Sequence, residues 1–370
     1  MAYKYLHPKH RHNVNKILFF GIVWLIFGML YSLLEKGILG EVTYYPSTGN
    51  YYDFSTSFFF TTLSSFIMGL VLGAIEVLFL NNMFGKRSFG QKILFKTFIY
   101  LISICLFLLS LVVVTNSHRL NLSFFDAEVI KTVFLFINNF VFLSIVLYIA
   151  VIIGITLFIS EVSDNIGQGV LKNFFMGKYH TPLIEDRIFM FLDMKSSTTI
   201  AEKMGHLKYY QFLNDYYADL TKAILETSGE IYQYVGDEVV VSWLADRGIT
   251  NLSCIDCYFL CKKIINKNSK AYYSKYKVVP DFKVGIHVGS ITAGEIGVIK
   301  KEIVFTGDIL NTTSRIQGEC NKYTVDNLIS EDLKLLLPSD HHYTIREIGS
   351  FKLRGKKNEI KLLTVSENQS

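Results

Sequence analysis

Two aspartates stand where strand ends can bring them together. Asp193 follows the apolar run Arg187–Leu192 in Phe-Leu-Asp-Met-Lys-Ser-Ser-Thr, and Asp237 sits in Tyr-Val-Gly-Asp-Glu-Val. Paired carboxylates completed by substrate phosphates are a common way for proteins to hold Mg²⁺. Ser196, Ser197 and Thr198 open the helix-forming segment after Asp193. Backbone N–H groups and the helix dipole make such a start a seat for phosphate. A third element, Gly307-Asp308-Ile-Leu-Asn311-Thr-Thr-Ser-Arg315, sets an amide and a guanidinium four residues apart, on one helix face. Each motif alone is ordinary, since aspartate is common in hairpins and serine at helix starts. Together they offer a cation site, an anion cradle and a positive charge for a phosphoryl-transfer transition state.

These residues need a scaffold, and residues 180–370 carry one. Arg187–Leu192 is strand-like, and Ser196–Thr227 has a helical apolar face broken near Gly205. Glu230–Gln233 and Val239–Trp243 read as strands around a tight turn at Gly236-Asp237. Ile249–Tyr273 reads as helix, Phe282–Val288 and Ile303–Phe305 as strands, and Asp308–Gly318 as the start of another helix. Strand patterns return near Tyr343–Ile348 and Glu359–Val365. That alternation predicts a mixed sheet with helices on one face. Cys254, Cys257 and Cys261 have helical spacing and, with Cys105 and Cys320, make no disulfide framework; buried thiols are expected.

The first half is of another kind. Residues 17–34, 54–75, 97–118 and 132–160 contain no Asp, Glu, Lys or Arg. A bilayer-spanning helix needs about 20 apolar residues, so four spans are expected and a wholly soluble or disordered chain is excluded. Residues 1–179 hold 13 Lys+Arg against 8 Asp+Glu, and residues 180–370 hold 24 against 24, so the whole +5 excess belongs to the membrane half. Membrane topology explains that excess better than nucleic-acid binding. Lys4, Lys9, Arg11 and Lys16 precede the first run; Lys86, Arg87, Lys92 and Lys96 lie between the second and third; Lys172 and Lys178 follow the fourth. The loops between are poor in lysine and arginine, which puts both termini in the cytoplasm. Glu76 falls near the cytoplasmic end of the second run, where partnering near the interface competes with a functional role. Asn138 and Asn139, inside the fourth run, are expected to join helices. Val162, Ile166, Val170 and Phe174 suit an amphipathic helix leaving the membrane.

The soluble half resembles the class III nucleotidyl cyclases, the catalytic domains of adenylate and guanylate cyclases. The resemblance covers about half of the chain. The segment around Asp193 looks like that family's first metal motif, Gly236-Asp237 like its second, and Asn311 with Arg315 like its transition-state pair. Lys352-Leu-Arg354-Gly-Lys356 resembles its late basic turn, which contacts the triphosphate. The resemblance implies an α+β ferredoxin-like cyclase domain over 185–366; with the apolar runs, the expected architecture is an α-helical transmembrane bundle of four spans over residues 1–160, a coupling linker over 161–184, and that domain.

It further implies a homodimer, head to tail, converting ATP to 3′,5′-cyclic AMP and pyrophosphate with two Mg²⁺ or Mn²⁺ ions per site. Asp193, Met194 and Asp237 are the implied metal residues, and Asn311 and Arg315 the catalytic ones. Ser196, Ser197, Thr198, Gln233, Val304, Arg354 and Lys356 are the implied nucleotide contacts. Two positions depart from the family. Gln233 stands where a purine-reading Lys is usual, and Val304 where adenylate cyclases carry Asp or Thr. Guanylate cyclases typically carry Glu and Cys there, and these are also missing. ATP is therefore the expected substrate, with GTP as the alternative; a cyclase-like pseudo-enzyme signalling through dimerisation is a second. The expected location is the inner or plasma membrane, with membrane lipid as a partner.

Overall fold

A computed structural model describes residues 8–44, 51–80, 83–84, 87–166, 173, 176–339, 342–352 and 359–368. His10–Ile166 form one compact unit, and the chain from Gly167 onward forms another.

The first unit is helical because its sequence is apolar for whole helix lengths. Its helices are α1 (Pro8–Leu39), α2 (Phe54–Ile75), α3 (Phe89–Leu120), α4 (Ala127–Ile137) and α5 (Phe140–Ile166), with a π-helical turn at Glu76–Leu80 continuing α2. Among the described residues, four stretches are long and apolar enough to cross a membrane: Asn13–Leu39, Phe54–Leu80, Phe89–His118 and Phe140–Asn165. Phe20, Trp24, Leu72, Tyr100, Ile104 and Ile153 join α1, α2, α3 and α5 in one core. The fourth apolar run is not a single helix, and its asparagines do not join helices. Asn138 ends α4, its Nδ2 donating to the Phe134 carbonyl, and Asn139 Oδ1 accepts from the Val141 N–H to start α5. Short amide side chains compete for backbone groups, so two in a row stop one helix and cap the next.

In the second unit β1 (Leu183–Met194) leads to α6 (Ser197–Met204) and α7 (His206–Glu226), then the hairpin β2 (Glu230–Val235) and β3 (Glu238–Leu244). Helices α8 (Ala245–Ile249), α9 (Ser253–Lys267) and α10 (Ser269–Tyr276) follow. The rest is β4 (Phe282–Ile296), β5 (Glu302–Thr306), α11 (Asp308–Glu319), β6 (Asn327–Ser330), α12 (Glu331–Leu336), β7 (Tyr343–Phe351) and β8 (Ile360–Glu367). Among the described residues, eight strands form one sheet in the order β2-β3-β1-β4-β6-β8-β7, with β5 paired to β4. The antiparallel block β2-β3-β1-β4, crossed by helices after β1 and after β3, is the ferredoxin-like core.

Alternation along the strands builds two cores. Ile188, Met190, Leu192, Val239, Val241, Val284 and Ile286 face α7, α9 and α10, where Phe212, Tyr216, Tyr258 and Tyr276 cover them. Cys254, Cys257 and Cys261 are buried there as free thiols. The intervening residues face the other way. Phe189, Phe191, Ile291 and Ala293 pack with Phe305 and Ile309, and Leu328 and Leu362 with Ile316 and Cys320. Helices therefore cover both faces, not one: α11 has its own apolar stripe and lies opposite α7 and α9. The expected helix over 249–273 is also broken. Asn251 and Leu252 take φ of 54° and 56°, and a short 3₁₀ turn separates α8 from α9.

Candidate active site

Asp193 is the penultimate residue of β1 and pairs across the sheet with Lys283 of β4. Leu192 pairs with Val239, so the next residue faces the start of β3, where Glu238 follows the Gly236-Asp237 turn. Gly236 takes φ of +63°, the left-handed setting that a two-residue hairpin loop needs at its first position. Tyr217 on α7 donates its hydroxyl to the Gly236 carbonyl and lies against the Tyr234 ring, 4.6 Å between centroids, which pins the turn.

Carboxylates are thus gathered at one end of the sheet. Burial pushes the Asp193 carboxyl above its ordinary range, and neighbouring Asp237 pushes it further. Glu238 is pushed up to about 7, by burial first and then by Asp193 and Asp237. Burial and the charge of Asp237 raise the Tyr217 phenol to about 12. Asp237 Oδ2 is buried and has no hydrogen-bond partner among the described residues. A buried acceptor without a donor costs about 1–3 kcal/mol, and a cation removes both that cost and the repulsion. Hard carboxylate oxygens fit Mg²⁺ or Mn²⁺. Among the described residues no group of three or more His, Cys, Asp or Glu could hold a metal, so two aspartates leave positions for phosphate or water. The Met194 side chain is buried in the α7/α9 core, leaving that residue only its backbone to offer.

Two residues after Asp193 the chain turns into α6. Ser196 takes φ of 57° at the cap, and its side chain makes no cap bond. Ser196 and Thr198 are exposed and Ser197 half-buried, so the first N–H groups of α6 open beside the aspartates.

Helix α11 presents two faces. Thr312, Thr313, Ile316 and Gln317 are buried, whereas Asn311 is exposed and Arg315 half-exposed. Gln317 Nε2 donates to Asp193 Oδ2 at 3.3 Å. Arg315 precedes it by two residues, about 200° around the helix, and Asn311 by six, about 120° away, so neither shares the direction in which Gln317 reaches Asp193. On the same sheet face Tyr232 stacks on Phe305, 4.7 Å between centroids. Gln233, exposed, and Val304, half-buried, each adjoin a member of that stack. Arg354 and Lys356 lie outside the described residues, as does most of the expected coupling helix, including Val170 and Phe174.

The adenylate and guanylate cyclase catalytic domain matches residues 182–365. The chain belongs to this family. Adenylate cyclase 2 of Rhizobium meliloti is 31% identical over 224 residues, covering 60% of this chain and 62% of the relative. The adenylate cyclase of Anabaena cylindrica is 30% identical over 182 residues, covering 48% of this chain and 36% of the relative. The chain thus spans less than two thirds of either relative. Among solved structures, the adenylyl cyclase CyaB from P. aeruginosa superposes with a TM-score of 0.46 at 18% identity, over 51% of this chain and 97% of that one.

Several residues of the candidate site carry no sequence signal of their own. Lys283 and Gln317 come from a distant strand and helix, and only the register of β1 on β4 and the seating of α11 bring them to Asp193. Tyr217 sits within a tyrosine-rich helix whose pattern does not mark it. Glu238 was within reach, since it follows Asp237 directly.

Proposed function

We propose that this chain is a membrane-anchored adenylate cyclase, converting ATP to 3′,5′-cyclic AMP and pyrophosphate at a site shared by two copies of the chain. The observation that carries it is the buried, unpartnered Asp237 Oδ2 beside an Asp193 whose charge its neighbour opposes. That is a cation site poised at a strand end next to a helix start.

Asp193 and Asp237 would hold the divalent ions, with the Met194 backbone at their side. When bound, those ions supply the positive charge that draws in a nucleotide triphosphate and polarises its phosphate oxygens. The N–H groups of Ser196–Thr198 seat the leaving phosphates, with Arg354 and Lys356 as further cations. The ribose 3′-oxygen bonds to the α-phosphorus, the bond from that phosphorus to the pyrophosphate oxygen breaks, and the hydroxyl proton is released. Arg315 stabilises charge building on the transferring phosphoryl group, and Asn311 orients the ribose. Because neither side chain shares the direction in which Gln317 reaches Asp193, the two serve a second copy.

Gln233 and Val304 read the base. Gln233 bonds either purine and Val304 only packs, so discrimination is modest. The four apolar helices anchor the chain, with both termini and the cyclase domain in the cytoplasm, a reading supported by the lysine and arginine excess in the segments that flank them. Residues 161–184 link the membrane bundle to the catalytic domain.

The test is product identification by mass after incubating purified full-length protein with ATP or GTP and Mn²⁺. Cyclic AMP should form about 10–200-fold faster than cyclic GMP, the range open to a site without a charged base contact. Equal or faster cyclic GMP formation overturns the adenylate assignment. Formation of neither product overturns the enzyme and leaves the pseudo-enzyme reading.

A further inference from the structure

We propose that Gln317 is a positioning residue that holds the Asp193 carboxylate in its metal-binding orientation, a role that rests on the metal reading of Asp193 above. Asp193 needs such a partner. Its cross-strand neighbour Lys283 donates its ammonium to Asn321 Oδ1 at 2.7 Å. Its other neighbour, Asp237, repels it. Left to that repulsion, the carboxylate turns away from the position in which both aspartates can share a cation. Gln317 supplies one directional N–H, 3.3 Å from Oδ2, while adding no charge to compete with the ion. Gln317 is 7% exposed, so no solvent competes freely for the amide.

The sheet is shaped to let this residue reach. Gly285 on β4 pairs with Phe191, two residues before Asp193 and therefore on the same face. A Cβ at Gly285 would stand 2.4 Å from the Gln317 backbone nitrogen and 2.8 Å from its Cα and Cβ. The missing side chain lets α11 settle onto β4 at the residue whose amide touches Asp193. Hydrogen-bond partners of metal ligands commonly govern affinity, and losing one costs about 10–100-fold.

Mn²⁺ binding to the full-length protein, read by electron paramagnetic resonance with a non-cyclisable ATP analogue present, tests this without turnover. Gln317→Met keeps the side-chain length and removes the donor. It should weaken Mn²⁺ binding about tenfold or more. Gln317→Asn keeps the amide but withdraws it by one methylene, and should shift affinity in the same direction if Gln317→Met does not fold. Ile316→Val thins the buried packing of the same helix and should lower the melting temperature without moving Mn²⁺ affinity. Asp193→Asn is the reference for the metal reading. If Asp193→Asn leaves Mn²⁺ binding unchanged, the metal reading fails and this proposal with it. If Asp193→Asn weakens binding while both folded Gln317 variants stay within about twofold of wild type, the positioning role alone is wrong. An equal loss in Ile316→Val would reduce Gln317 to packing and overturn the proposal too.

Discussion

Glu76 in the helical unit is 1% exposed, and among the described residues the charges that touch it are paired. Lys96, 2% exposed, reaches it at 2.5 Å, and the Tyr100 hydroxyl donates to it at 2.9 Å. Lys92 pairs with Glu161 and Lys16 with Asp164, each at 2.5 Å, so α1, the π-helical turn after α2, α3 and α5 are all tied by ion pairs. In the cyclase domain Asp193 and Asp237 are partly buried against each other, and one oxygen of Asp237 has no hydrogen-bond partner among the described residues. Both units take carboxylates out of water. Glu76 is balanced internally, which is how a buried charge is kept for structure, whereas the Asp193 and Asp237 pair is not. A pair left repelling costs stability and survives where an outside ion completes it. Glu76 thereby reads as a brace and the aspartates as a site.

Breaking the unpaired side of that contrast should have the largest effect, and on activity. Asp193→Asn and Asp237→Asn should each lower turnover at least about a thousandfold, the loss expected when several kcal/mol of metal-derived stabilisation disappears. Neither should lower the melting temperature of the metal-free protein, because each removes a repelling charge. A variant retaining more than about a tenth of wild-type turnover rules out the role given to that residue.

Breaking the paired side should cost stability. Lys96→Met strands Glu76 as an uncompensated buried charge, worth about 3–5 kcal/mol. Equilibrium unfolding in detergent should show that loss, and the double variant Glu76→Gln with Lys96→Met should recover most of it. If Lys96→Met is as stable as wild type, the brace assignment is wrong.

A smaller effect sharpens the comparison inside the cyclase domain itself. Asp281 and Asp326 are also half-buried, but Lys195 and Lys262 answer both. Burial works against their ionisation, and the two lysines outweigh it, holding both carboxyls below the ordinary range. A depressed folded pKa adds stability that is present above the unfolded value, about 3.9, and is lost as pH falls through the folded one. Lys262→Met should therefore cost about 1 kcal/mol at pH 7, the groups being open enough for solvent to screen them. Chemical denaturation across pH should show that cost shrinking below about pH 4. A cost that stays constant to pH 2 would mean the ion pairs contribute nothing.

Much of this was legible from the sequence because the signals are long or doubled. The four apolar runs are each about as long as a bilayer-spanning helix and free of charge, the break at Gly205 falls between α6 and α7, and Gly236-Asp237 joins β2 to β3 where the turn chemistry places it. Short elements escaped. β6 is only Asn327–Ser330, too brief for a period of two to show, and α12 is one turn and a half behind the Ser330 cap. The face taken by α11 was hidden because its stripe is apolar whichever side of the sheet it covers. That choice matters most for the site, since it sends Gln317 to the Asp193 of its own chain and turns Arg315 to another side of α11.

The position of Arg315 away from the Gln317 side of α11 is what supports the proposed shared site, and co-expression tests it directly. Asp237→Ala alone and Arg315→Ala alone should each be inactive. In a mixed two-fold dimer one site carries both defects and the other neither, the intact site taking its aspartates from the Arg315→Ala chain and its arginine from the Asp237→Ala chain. Random pairing of equal amounts makes about half of the dimers mixed, each with one working site of two, so cyclic nucleotide formation should return to about a quarter of wild type. No recovery, with mixed dimers demonstrated by pull-down of differently tagged chains, would contradict a site built from two copies.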